Sequence, residues 1–266
     1  MAVEEAYGLR YERTGEGKPL LLIHGTGSSR AAWRPVASLL AREYELLIVD
    51  LPGHGESEPP SPKTHPTPIG YAPLLGHLLD ALGMGRVHTA GFSIGGWTSL
   101  ELAKLRRARS VTAFGPAGLW VPRSPRSSEV SLWLSNRAAR LARPLLPYLF
   151  ATSVGRTVFL SQQFGRPWRL TADEAVAAAG TLAATRSFDQ HLAATNRARF
   201  TGGRDIDVPV TIAFGARERL LSRRGARRAE ELPMHARWVE LPGCGHVPTW
   251  DDPMLVARVI REKARS

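Results

Sequence analysis

The chain has 266 residues, 43% of them apolar and 22% charged, a balance that excludes disordered and collagen-like classes. Its one cysteine, Cys244, leaves no intrachain disulfide, and no apolar run approaches the roughly 18 residues of a membrane-spanning helix. The net charge is +11, but arginines scattered along the chain carry most of it, so surface solvation is expected rather than nucleic-acid binding.

The opening MAVEEAYGLRYERTGEG holds acids and no apolar core, unlike a secretory signal. A cytoplasmic protein with neither a membrane nor a nucleic-acid partner is expected. Tyr7–Arg13 alternates like an edge strand, and Pro19–Ile23 is a continuous apolar run, as in a strand covered on both faces. Ala31–Arg42 sets Trp33, Val36, Leu39 and Leu40 on one helical face. Glu45–Val49 reads as the next buried strand and leads into the loop Asp50–Ser57. After a proline-rich loop, a helix is expected over Tyr71–Leu82 and a strand over Arg86–Ala90. Gly91-Phe92-Ser93-Ile94-Gly95-Gly96 turns that strand into a helix running to about Arg106. Ser110–Phe114, Val208–Phe214 and Arg237–Leu241 are further strands, with helices over Ser222–Leu232 and Pro253–Lys263. The alternation predicts an α/β fold, a mostly parallel sheet with flanking helices.

Gly118–Asp205 breaks the alternation. It reads as helices, too long for a loop, and holds 12 arginines, no lysine and five acids. We expect a core over 1–117 and 206–266 and an inserted, mobile helical cap over 118–205. Trp133, Leu134, Leu141, Leu145 and Tyr148 cluster early in it. Most such residues are expected to pack the insertion onto the core. The rest, with Phe92 and Trp97, would line an apolar substrate pocket.

The chemistry centres on Gly91-Phe92-Ser93-Ile94-Gly95, a G-x-S-x-G pattern between a predicted strand and a predicted helix. Side chains at 91 and 95 would collide in so tight a turn, and Ser93 would be held strained at the sheet edge. A serine needs a base. His246 follows the last predicted strand in LPGCGHVP, whereas His24 and His54 look like turn and packing residues. The base needs an acid, and Glu218 lies three residues beyond the glycine that ends Val208–Phe214. Pairing of Glu218 with Arg217 or Arg219 at the surface is the alternative. The backbone N–H groups of Thr26 and Ile94 are the candidate oxyanion donors.

Together HGTG at 24–27, DLPGHGES at 50–57, GFSIGG at 91–96, GARE at 215–218 and GCGHVP at 243–248 resemble the α/β-hydrolase fold family. The likeness is to its serine branch with a helical cap. It implies the order Ser93, Glu218, His246 for a catalytic triad, with neither metal nor organic cofactor. The family more often has aspartate where this chain has Glu218; Asp251 and Asp252 fit the order poorly, and Asp50 matches a structural loop aspartate. Dehalogenases and epoxide hydrolases of the fold carry aspartate at the elbow, so Ser93 speaks against both. The expected activity is hydrolysis of a carboxylic ester, thioester or lactone with an apolar acyl group. A carbon–carbon bond hydrolase and a non-catalytic binding protein of the same fold are the alternatives.

Overall fold

The computed structural model describes residues 2–120, 126–221 and 227–264, apart from the side chains of 263 and 264. The chain opens with a hairpin of β1 (Val3–Ala6) and β2 (Leu9–Thr14), then β3 (Lys18–Ile23), α1 (Arg34–Leu40) and β4 (Tyr44–Val49). Next come α2 (Pro68–Ala81), β5 (Val87–Phe92), α3 (Ile94–Lys104) and β6 (Ala108–Phe114). A run of helices follows: α4 (Arg126–Leu141), α5 (Leu146–Phe150), α6 (Ser153–Leu160), α7 (Ala172–Ala184) and α8 (Phe188–Arg197). The chain then returns to the sheet through β7 (Val210–Gly215) and β8 (Arg237–Leu241), and ends in α9 (Pro248–Asp251) and α10 (Pro253–Ala264).

Among the described residues the strands form one sheet in the order β1-β2-β4-β3-β5-β6-β7-β8. The β1–β2 and β2–β4 pairs are antiparallel and the other pairs are parallel. The period of two along a strand divides the core between two faces. Leu21, Ile23, Leu47 and Val49 pack with Leu75, Leu78 and Leu79 of α2 and Leu100 of α3. Leu20, Leu22, Leu46 and Ile48 pack with Val36 and Leu40 of α1 and Val256 and Ile260 of α10. β3 is apolar without alternation because helices cover both of its faces.

Two expectations need correction. Tyr7 is the turn of the N-terminal hairpin, at φ 54°, and not part of a strand. β1 takes the edge, while β2 is paired on both sides. The helix expected over Ser222–Leu232 lies partly outside the described residues, and its described part holds only a 3-10 turn at Ala229–Glu231.

Candidate active site

Ser93 stands between β5 and α3 at φ 57° and ψ −121°, outside the regions an ordinary L-residue occupies. Such a conformation costs about 1–3 kcal/mol and must be imposed by its surroundings. A Cβ on Gly91 would overlap the backbone of Gly95, and a Cβ on Gly95 would overlap the carbonyls of Ile23 and His24. Backbone bonds fix the rest. Ser93 N–H donates to Phe114 O (2.9 Å), and Ser93 O accepts from Trp97 N–H and Ala117 N–H (both 3.1 Å).

His246 lies in the loop between β8 and α9, and Glu218 in the loop after β7. The His246 Nδ1–Glu218 Oε2 distance is 2.8 Å, with both side chains buried. The carboxylate accepts, so the ring proton sits on Nδ1 and Nε2 keeps a lone pair. Oε1 of Glu218 accepts from the N–H groups of Leu220 (2.8 Å) and Leu221 (3.0 Å). Burial pushes the Glu218 carboxyl up, but the His246 ring and these two N–H donors overcome it and hold it below its usual range. His246 Nε2 is buried and makes no hydrogen bond among the described residues.

Gly115 is a contributor that sequence reasoning missed. Its φ is +46°, and a Cβ there would lie 3.3 Å from both Glu218 Oε2 and His246 Nδ1. A signal existed in Phe114-Gly115-Pro116, a glycine directly after a strand. Asp251, which follows His246 in the sequence, is engaged elsewhere. It accepts N–H bonds from Gly165, Arg166 and Gly245, each at 2.7 Å, and so ties the helical segment to the histidine loop. Asp252 is an ion-pair partner of Arg166.

Ser93 and His246 line one cavity of about 290 Å³. Gly25, Thr26 and Phe92 contribute from the sheet side, Leu132 from α4, and Ala177, Ala178 and Thr181 from α7. A smaller compartment of about 30 Å³ shares Thr26, Ser93, Leu132 and Leu220 with it, and adds Ile94, Ser128, Glu129 and Thr195. Thr26 and Ile94 therefore flank Ser93, and neither N–H donates a hydrogen bond among the described residues. The first N–H groups of a helix have no partner within it, so Ile94 is free to face a ligand. Trp97 is not brought to either space. It is fully buried under Gly118, with Nε1–H donating to Glu101 Oε1 at 2.9 Å.

His24 and His54 pack away from this chemistry. His24 Nδ1–H donates to Gly25 O (2.8 Å), and Nε2 accepts from Leu51 N–H (2.9 Å). The His54 ring lies 5.2 Å from that of His24 and 4.8 Å from that of His191 in α8. His191 Nδ1 meets the Tyr71 hydroxyl. Burial pushes His24 down to about 4 and His54 and His191 to about 3, so all three are neutral near pH 7. Among the described residues no group of three or more His, Cys, Asp or Glu is placed to hold a metal.

The family model described as "Alpha/beta hydrolase family" matches residues 20–259. An uncharacterised protein of Mycobacterium tuberculosis is 27% identical over 263 residues, covering 93% of this chain and 75% of that one. The 2-hydroxy-6-oxononadienedioate/2-hydroxy-6-oxononatrienedioate hydrolase 2 of Pseudomonas putida is 32% identical over 114 residues, covering 40% of each chain. A thermophilic esterase from Thermogutta terrifontis superposes with a TM-score of 0.67 at 22% identity, covering 97% of this chain and 93% of that one. That likeness is one of fold.

Proposed function

The chain belongs to the alpha/beta hydrolase family, and on that premise we propose that it hydrolyses a carboxylic ester, or a thioester or lactone, through an acyl-enzyme on Ser93. The observation that carries this reading is the Glu218–His246 hydrogen bond on the cavity that Ser93 lines, with His246 Nε2 unoccupied. Nε2 takes the hydroxyl proton as Ser93 Oγ attacks the carbonyl carbon. The Glu218 carboxylate stabilises the imidazolium that results. The N–H groups of Thr26 and Ile94 take the developing oxyanion. Collapse of the intermediate expels the alcohol or thiol, which takes the proton back from Nε2. Water then repeats the sequence in reverse roles and frees the carboxylic acid.

The helices of 118–205 act as a cap in this reading. Leu132, Phe164, Ala177 and Ala178 give that side of the cavity an apolar stretch beside Gln163, Asp173, Glu174 and Thr181, and that stretch suits the apolar acyl group of a small-molecule substrate. A carbon–carbon bond hydrolase is the second reading, favoured by the partial match to the Pseudomonas hydrolase.

A fluorophosphonate probe and a p-nitrophenyl butyrate assay test the proposal together. The expected result is one phosphonyl group on the peptide containing Ser93, with loss of ester hydrolysis in step with labelling. Labelling elsewhere, or hydrolysis that survives full labelling, would overturn it.

A further inference from the structure

The outward side of the helical segment carries large apolar side chains with nothing over them. Leu141, Tyr148 and Val154 are 84%, 79% and 70% exposed, and Val158 and Phe159 of α6 follow at 66% and 54%. Single exposed apolar residues are ordinary, but a concentration of them on one stretch marks an interaction surface. A groove of about 410 Å³ opens between these helices, walled by Leu134, Val158 and Phe159 and, on the α7 side, by Leu182. Gln163 lines both this groove and the cavity around Ser93, so the two adjoin.

The stretch that carries the patch is basic, although Arg137 is paired with Asp189 and Arg166 with Asp252, and Glu129 and the pair Asp173-Glu174 flank it. From Val130 through Ala172 the chain has six arginines and no aspartate or glutamate. Arg143 is exposed between Leu141 and Leu145 and makes no hydrogen bond or ion pair among the described residues. Arg140 donates to the carbonyl of Thr185, and Arg156 to those of Phe150 and Ala151, which leaves both charges uncompensated. An apolar face rimmed by cations matches a surface that is apolar within and negative at its boundary. An anionic phospholipid bilayer is such a surface.

We propose that the face formed by α4, α5 and α6 docks on anionic lipid, and that the adjoining groove receives an acyl chain there and leads it toward Ser93. The second half rests on the hydrolase reading given above; the docking does not.

Co-sedimentation with phosphatidylglycerol and with phosphatidylcholine vesicles tests it, using Ser93→Ala beside the wild-type chain. Both proteins should bind phosphatidylglycerol vesicles at least ~10-fold more tightly, and 0.5 M salt should remove most of that preference. The double variant Leu141→Asp/Tyr148→Asp should lose binding but keep its near-UV circular dichroism and its hydrolysis of a short soluble ester. Arg143→Glu should weaken phosphatidylglycerol binding by ~5-fold or more. Equal or absent binding to the two vesicle types overturns the proposal. So does a wild-type dimer that the double variant makes monomeric, because a second copy then covers the face. Vesicle binding without any esterase activity would leave the docking standing and remove the hydrolase reading alone.

Discussion

His246 and the His24–His54–His191 stack are all buried, yet their surroundings differ in kind. The stack has aromatic neighbours and carbonyl or hydroxyl partners, and its nearest carboxylate, Asp50, stands 4.0 Å from His24 and is itself bonded to Arg30. Its rings are neutral, and although Nε2 of His54 and of His191 is unpartnered as well, none of the three has a carboxylate within hydrogen-bond distance. His246 has a carboxylate at 2.8 Å, a backbone glycine against the pair, and a free Nε2 beside a cavity. Burial alone makes a histidine part of the packing. Burial with a buried counter-charge and an unoccupied nitrogen makes one that can take up a proton in place.

The comparison breaks first at Ser93. Ser93→Ala should lower kcat by at least ~10⁴-fold with the fold retained. His246→Ala should do the same, and the double variant should be no slower than either, because the two act as one unit. Steady-state ester hydrolysis decides it, and unchanged turnover in either single variant would remove the residue from the mechanism. Glu218→Gln should follow at ~10²–10⁴-fold, since the amide keeps the shape but loses the charge that stabilises an imidazolium. Glu218→Asp should retain more activity than Glu218→Gln, and the reverse order would mean that the carboxylate is not what matters.

The stack is sharpened by acid. A histidine held neutral inside binds fewer protons folded than unfolded, so its contribution to stability is complete above pH 6.5 and drains as pH falls toward 3–4. Each such ring should cost about 1.4 kcal/mol per pH unit within that window. Urea unfolding between pH 7 and pH 5 measures it. His191→Phe should flatten that pH dependence. It should also destabilise the chain at pH 7 by about 1–3 kcal/mol, because the Tyr71 hydroxyl loses its partner. Turnover should stay within ~3-fold, since His191 lines neither space beside Ser93. The smallest effect on turnover belongs to Trp97→Phe. It shrinks a fully buried ring and removes the hydrogen bond to Glu101, with a stability cost of about 1–3 kcal/mol and an unchanged KM.

Sterics and chain order made the elbow legible. Gly91 and Gly95 are glycines because no Cβ fits there, and that requirement is local enough to read in six letters. The sheet was legible for the same reason, since covered parallel strands are short apolar runs. Trp97 was misplaced because four residues along a helix point it back under Ser93 and into the core rather than up to the cavity. The His191–Tyr71 contact joins residues 120 apart, and no local pattern records it. Leu141 and Tyr148 read as packing residues because apolar letters carry no mark of which helix is outermost. Their exposure is set by what lies above α4 and α5, which is a tertiary fact.

The three N–H bonds on Asp251 have a consequence for biosynthesis. Gly165 and Arg166 are made 86 and 85 residues before the carboxylate that fixes them. At a translation rate of about 5–20 residues per second, this corner of the helical segment stays unlatched for roughly 4–17 s. Phe164, buried in the finished cavity wall, lies next to the unlatched glycine throughout that interval. The nascent chain thus carries this corner of the cavity wall unlatched until Asp251 emerges, and a stop codon shortly before Asp251 would leave that corner without its latch.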